Sequence, residues 1–215
     1  MLSRRSLLTG AALAPFANLA FAADPYVAGR QYQPILPPVR TSLDKIEVRV
    51  FFAYYCPHCI RLEPHIAVWS KTLPADVEVV LNPVAWRQNL MPFTQTYYAL
   101  DALELLEKLH MPFFESVVYQ QRPYDMNDAG ADIRAFMVQK GVSGEDWDKA
   151  FASFSVHAKS RAAMQAWPKY GVDSTPSVAV GGMYLTGPSM VGTNRGTLEC
   201  LNFLIEKVRA ARRAA

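Results

Sequence analysis

The sequence predicts an α/β fold in which one mixed β-sheet is interrupted along the chain by an inserted all-helical domain. Three features carry this expectation. A strand pattern at Ile46 to Tyr55 turns into helical periodicity and then into a second strand pattern at Val77 to Val84. Residues 89–165 then carry only helical periodicity, and a hairpin signal followed by a final helix closes the chain. Two pieces distant in sequence, 23–88 and 166–215, therefore share one sheet, and 89–165 is the helical insert.

Each element has its own justification. Pro25, Pro34, Pro37 and Pro38 favour extended structure in the lead-in and leave room for at most one short edge strand around Tyr32 to Leu36. Ile46 to Tyr55 is rich in β-branched and aromatic residues and almost wholly apolar from Val50 onward, as a strand buried on both faces should be. From Cys59 the apolar residues Ile60, Leu62, Ile66, Val68 and Trp69 recur at helical spacing. Pro57 suits the first turn, and Pro64 predicts a kink. Within the insert the amphipathic runs are Tyr97 to Leu109, Phe113 to Tyr119, Ile133 to Gln139 and Trp147 to Phe154. Breaks are expected at Met111-Pro112, Arg122-Pro123 and Gly141 to Gly144. Ser177 to Val180, Gly181-Gly182 and Met183 to Leu185 form the hairpin, and Thr193 to Arg209 the last helix, with basic residues at its end.

The 215 residues, 51% hydrophobic and 19% charged, are enough for a substantial core, and they exclude a chain disordered throughout. The first residues read as an export signal. Arg4 and Arg5 precede an apolar stretch from Leu7 to Ala20, and Ala20-Phe21-Ala22 offers a cleavage site after Ala22. Gly10, Pro15 and Asn18 interrupt that stretch, which is too weak for a stable membrane span. Ser3-Arg4-Arg5-Ser6-Leu7-Leu8 is similar to a twin-arginine signal. Removing residues 1–22 lowers the net charge from +3 to near +1, which gives no case for nucleic-acid binding.

Two of the three cysteines form Cys56-Pro57-His58-Cys59, where a strand meets a helix. A thiolate attacks disulfides and a thiol does not, so the chemistry requires a lowered pKa. The helix start presents unpaired N–H groups to Cys56, and a protonated His58 would add a second favourable charge. Both stabilise the reduced thiolate and so make the Cys56–Cys59 disulfide a stronger oxidant. Cys56 is expected to be the exposed, attacking position, with Cys59 deeper and placed to resolve a mixed disulfide.

Other uses of the spacing fit less well. Haem attachment needs histidine directly after the second cysteine, where Ile60 stands. Structural zinc needs two more ligands, for which only Cys200 and His65 offer themselves. A purely structural disulfide across so small a loop would restrict the unfolded chain little. His65, His110 and His157 read as surface or helix-face residues, the four tryptophans as packing, and Cys200 as a buried, inert thiol.

Phe51-Phe52-Ala53-Tyr54-Tyr55-Cys56-Pro57-His58-Cys59 resembles the active-site strand and helix start of the DsbA family of periplasmic disulfide oxidoreductases. Tyr170-Gly171-Val172-Asp173-Ser174-Thr175-Pro176-Ser177 is similar to that family's segment with a cis-proline opposite the dithiol. The resemblance spans the mature chain and implies a thioredoxin-like fold, with no cofactor beyond the redox disulfide itself and no metal. It also implies that Thr175 and Pro176 contact the redox sulfurs and a bound peptide. The substrates it implies are reduced or unfolded exported polypeptides, held in a groove lined by apolar residues. Reoxidation would fall to a quinone-linked membrane partner resembling DsbB, and the location would be the periplasm. The chain departs from the family at Val50, where well-studied members carry a buried acid paired with a lysine. Three rivals remain: a reductase or isomerase kept reduced, a binding module or chaperone with an incidental dithiol, and a glutathione-dependent isomerase on a related fold. The intact cysteine pair argues against the last.

Overall fold

The computed structural model describes residues 24–120 and 124–214. The export signal expected over 1–22 and the break expected at Arg122-Pro123 lie outside the described residues. Five strands form one sheet in the order β1-β5-β4-β2-β3: β1 Tyr32–Pro34, β2 Ile46–Phe52, β3 Val77–Pro83, β4 Ser177–Val180 and β5 Tyr184–Thr186. β2 and β3 are parallel, joined by α1 Pro57–Ser70, and the other neighbours are antiparallel. Among the described residues, a short 3-10 turn at Gln88–Leu90 and five α-helices lie between β3 and β4: α2 Met91–Ala102, α3 Leu106–Val118, α4 Gly130–Gln139, α5 Gly144–Phe151 and α6 Phe154–Lys169. α7 Pro188–Val191 and α8 Asn194–Ala214 follow β5. No helix of the described residues is long and apolar enough to cross a membrane.

Strand alternation explains the layers. Ile46, Val48 and Val50 point from β2 into a cluster with Leu62 and Ile66 of α1 and Leu201, Leu204 and Ile205 of α8. Phe51 points the other way, against Tyr170, Val172 and Ala179. A third cluster joins Phe52, Cys56, Cys59 and Ile60 to Phe93, Leu100, Phe113, Phe114 and Ile133 of the helical block. The cysteine motif is therefore seated where the sheet, α1 and the block meet.

The hairpin forms as expected: Gly181 and Gly182 both take positive φ, at 58° and 66°, and Met183 N–H donates to the Val180 carbonyl at 3.0 Å. Two left-handed residues match the twist of the flanking strands. The helical block differs from expectation in its punctuation. The run Tyr97 to Leu109 is broken, because α2 ends at Ala102 and Glu104 turns the chain at φ 57°. The break expected at Met111-Pro112 does not occur. Pro112 removes one N–H from α3, but Leu109, Phe113 and Phe114 are buried around it and hold the helix. α1 likewise runs on through Pro64.

Candidate active site

Cys56 is the N-cap of α1: its φ and ψ are extended, and its sulfur accepts the Cys59 N–H at 3.3 Å. Pro57 occupies the first helical position, where its missing N–H costs nothing. The cap therefore places a nucleophilic atom on the positive end of a helix, where an anion is favoured. Cys59, one turn on, is only 1% exposed, against 9% for Cys56, so Cys59 is the deeper of the two as expected, but Cys56 is itself largely buried rather than exposed. Both are free thiols in this structure.

The two sulfurs differ in acidity in the direction this geometry requires. The Cys56 pKa is lowered to about 6, chiefly by a hydrogen bond from the Cys59 thiol. The Thr175 side chain and the N–H groups of Cys59 and His58 assist, and burial opposes. Cys59 is pushed up beyond the ordinary thiol range, first by burial and then by the neighbouring Cys56. At neutral pH, Cys56 is therefore mostly thiolate while Cys59 keeps its proton. In the thiol form, Cys56 donates to the Thr175 carbonyl at 3.3 Å, a contact that works against ionisation and disappears with it.

The peptide bond between Thr175 and Pro176 is cis, and the Thr175 carbonyl meets the Cys56 sulfur. His58, Arg61, Thr175, Pro176, Pro188 and Asn194 are among the residues lining a groove of about 590 Å³ there. Most of its lining residues are polar by type, but apolar atoms, those of Pro176 and Pro188 among them, supply the larger part of the groove surface. His58 has a charged neighbour of its own. Arg61 lies 2.7 Å from its Nδ1, and since a guanidinium can only donate, Nδ1 is the acceptor. The permanent charge at this end of the site is on Arg61.

Val50 is 1% exposed and pairs with Leu81 on one side and Val178 on the other, so no charged side chain flanks that position in the sheet. A buried carboxylate is present instead on α1, one turn beyond Cys59. Glu63 is 7% exposed and lies 3.4 Å from the Nε2 of His110, itself buried. Sequence reasoning missed this pair, since the signal was only an acid at helical spacing from Cys59. Glu47 and Arg49 share the opposite face of β2 and form a two-pronged ion pair at 2.7 Å. Cys200 is fully buried, and burial raises its pKa. Among the described residues, no three His, Cys, Asp or Glu side chains are grouped to hold a metal ion.

A thioredoxin-like sheet that delivers an acidic cysteine and a deeper, protonated one to the same helix start defines a thiol:disulfide oxidoreductase. No protein-family model matches the chain. It is 37% identical over 207 residues to the thiol:disulfide interchange protein DsbA of Bordetella parapertussis, covering 94% of this chain and 96% of the relative. With the protein of the same name from Pseudomonas syringae pv. tomato it shares 34% identity over 215 residues, 98% of this chain and 99% of the other. The crystal structure of Pseudomonas aeruginosa DsbA superposes with a TM-score of 0.81 at 31% identity, covering 89% of this chain and 98% of that one. The chain belongs to the DsbA family of thiol:disulfide interchange proteins.

Proposed function

We propose that this protein donates the Cys56–Cys59 disulfide to reduced or unfolded polypeptides exported to the periplasm. A substrate thiolate attacks the Cys56 sulfur, the Cys56–Cys59 bond breaks, and its electron pair passes to Cys59, which takes up a proton. A second substrate thiolate then attacks the substrate sulfur of the mixed disulfide. Cys56 leaves as a thiolate, carrying away two electrons. The single observation behind this assignment is the Cys56 pKa of about 6 at the start of α1, because a low-pKa thiolate is a good leaving group and a stabilised reduced form is a strong oxidant.

Pro57 supports the role by starting the helix, His58 and Thr175 by adjoining the sulfur, and Pro176 by closing the groove against it. No cofactor besides the disulfide enters the cycle, which leaves the protein reduced after each turnover. A quinone-linked membrane partner resembling DsbB accepts the two electrons and restores the disulfide.

Reduction potential and activity test the reading together. Oxidation of a reduced, unfolded test protein should be lost in Cys56→Ser and in Cys59→Ser, since neither variant can hold the disulfide that is donated. A potential near that of thioredoxin, about −270 mV, would instead identify a reductase. Unchanged activity in Cys56→Ser would identify a binding module.

A further inference from the structure

A second cavity, of about 480 Å³, is lined by Arg49 of β2 and shares no lining residue with the groove beside the dithiol. Arg49 stands seven positions before Cys56 and pairs with Ala179 of β4, so the cavity is set back from the strand end that carries the cysteines. Its floor is fixed by Asn82, which is 1% exposed. That side chain accepts from Arg49 and donates to the Pro83 and Ala163 carbonyls. The small side chains of Ala162, Ala163 and Ala166 leave room on the α6 side, Tyr98 and Tyr170 line the cavity as well, and apolar atoms supply most of its wall.

The charges around this cavity nearly cancel. Its lining holds Arg49, Lys159 and Lys169 and no Asp or Glu. Glu47 answers Arg49 and Asp101 answers Lys159 from outside the cavity, each at 2.7 Å, whereas Lys169 has no carboxylate partner among the described residues. One positive charge is therefore left over, and two kinds of donor are unspent beside it. Arg49 uses one hydrogen of each of its three nitrogens on Glu47 and Asn82, so each terminal nitrogen keeps one more. The Tyr98 hydroxyl makes no hydrogen bond among the described residues. Burial pushes its pKa up to about 12 against the opposing charge of Arg49, so it is a donor at neutral pH and the guanidinium is near it.

We propose that this cavity is a binding site for a small organic monoanion that joins one carboxylate to a flat apolar body, such as an aromatic carboxylic acid. The carboxylate takes the unspent hydrogens of Arg49 and Tyr98, the apolar body covers the alanine side, and Lys169 supplies the balancing charge. The volume is that of a small-molecule pocket, with an apolar wall and few polar groups. A phosphate dianion would meet a single uncompensated charge and leave the apolar wall uncovered. The site is independent of the oxidase reading.

The test is an amide NMR titration of the protein with 2-naphthoate as the probe. Saturable shifts centred on Ala163, Ala166 and Lys169 are expected, with a Kd of about 1 mM. The neutral isostere 2-naphthamide should bind about fivefold more weakly. Tyr98→Phe deletes a hydroxyl without a partner in the described fold, so it should leave the thermal midpoint unchanged and weaken naphthoate about threefold. Lys169→Gln should weaken it about threefold at low salt and remove most of its salt dependence. Ala162→Trp, at an exposed lining position, should fill the cavity and abolish the shifts. Absence of saturable binding in the millimolar range, equal affinities for naphthoate and naphthamide, or an affinity unchanged in Tyr98→Phe would each overturn the site. So would shifts centred on His58 and Thr175, or displacement of naphthoate by an equal concentration of inorganic phosphate, which would mark a general anion site.

Discussion

The Tyr54 hydroxyl lies 2.7 Å from the Nδ1 of His110, and the other ring nitrogen of that histidine faces Glu63 across 3.4 Å. Burial raises the Tyr54 pKa well above the usual phenol range, so Tyr54 keeps its proton and donates to Nδ1. Nε2 then carries the remaining ring hydrogen toward the Glu63 carboxylate. All three side chains are buried, and Phe52, Tyr97 and Phe114 pack edge-on around the imidazole. The Nε2 has no hydrogen bond of good geometry, so its relation to Glu63 is that of close charge and dipole. The contact ties the strand end before Cys56 and the helix after Cys59 to α3, and so holds the helical block against the site.

His110→Leu should therefore cost about 2 kcal/mol, because it strands both a buried hydroxyl and a buried carboxylate. Chemical denaturation would read this as a lower midpoint at unchanged slope. Adding Glu63→Gln should recover part of the loss, since the stranded charge is then gone. Additive losses would show that His110 does not serve Glu63.

A second expectation concerns pH. Folded Cys56 ionises near 6, well below an unfolded thiol, so between those values the reduced native state binds fewer protons than the unfolded chain. The stability this gives the reduced form is complete above the unfolded thiol pKa of about 8.5 and is lost as pH falls through about 6. The ultraviolet absorbance of the thiolate should titrate with that midpoint. The Cys59 thiol is the leading cause of the shift, so Cys59→Ala should raise the midpoint more than Cys59→Ser, whose hydroxyl still donates. Equal midpoints in the two variants would remove Cys59 from that role.

What could be read in the sequence was what local chemistry decides. Pro57 after a capping cysteine, and Gly181-Gly182 between two mostly apolar runs, each specify their backbone within a few residues. The Tyr54–His110–Glu63 contact joins positions up to 56 apart, and nothing local to His110 marks it. Glu104 shows the same gap from the other side, since a non-glycine residue at φ 57° gives no sign of ending the run Tyr97 to Leu109. The way the groove is assembled was hidden for a related reason. The lining comes from α1, the Thr175 loop, α7 and the start of α8, and α7 was not foreseen.

The hairpin supplies a sharper stability test. A Cβ on Gly182 would lie 1.9 Å from the Val39 carbonyl oxygen, and the residue sits at φ 66°. Neither can relax cheaply, because Val39 also donates its N–H to the Gly182 carbonyl at 2.9 Å. Gly182→Ala should cost on the order of 3 kcal/mol from clash and backbone strain together. Gly192→Ala, at φ 96° with open space around its Cβ, should cost only the backbone share of about 1 kcal/mol. Thermal unfolding of the two variants would separate the contributions, and equal losses would refute the clash.

On the opposite face of β2, Arg49 donates from Nε and Nη2 to both oxygens of Glu47 and from Nη1 to Asn82 at 3.2 Å, while the Tyr170 hydroxyl donates to Glu47 at 3.2 Å. Glu47 is 9% exposed, so removing its partner leaves a carboxylate with one neutral donor in a poorly hydrated place. Arg49→Met is expected to cost about 2 kcal/mol, less than a fully buried pair would lose because water still reaches the guanidinium. Tyr170→Phe should cost about 1 kcal/mol, and Glu47→Gln with Arg49→Met together should cost less than Arg49→Met alone. That last inequality is the deciding one. If the double variant is the less stable, Glu47 and Arg49 contribute by their attraction, and if it is the more stable, the loss in Arg49→Met is the burial of an unpaired charge.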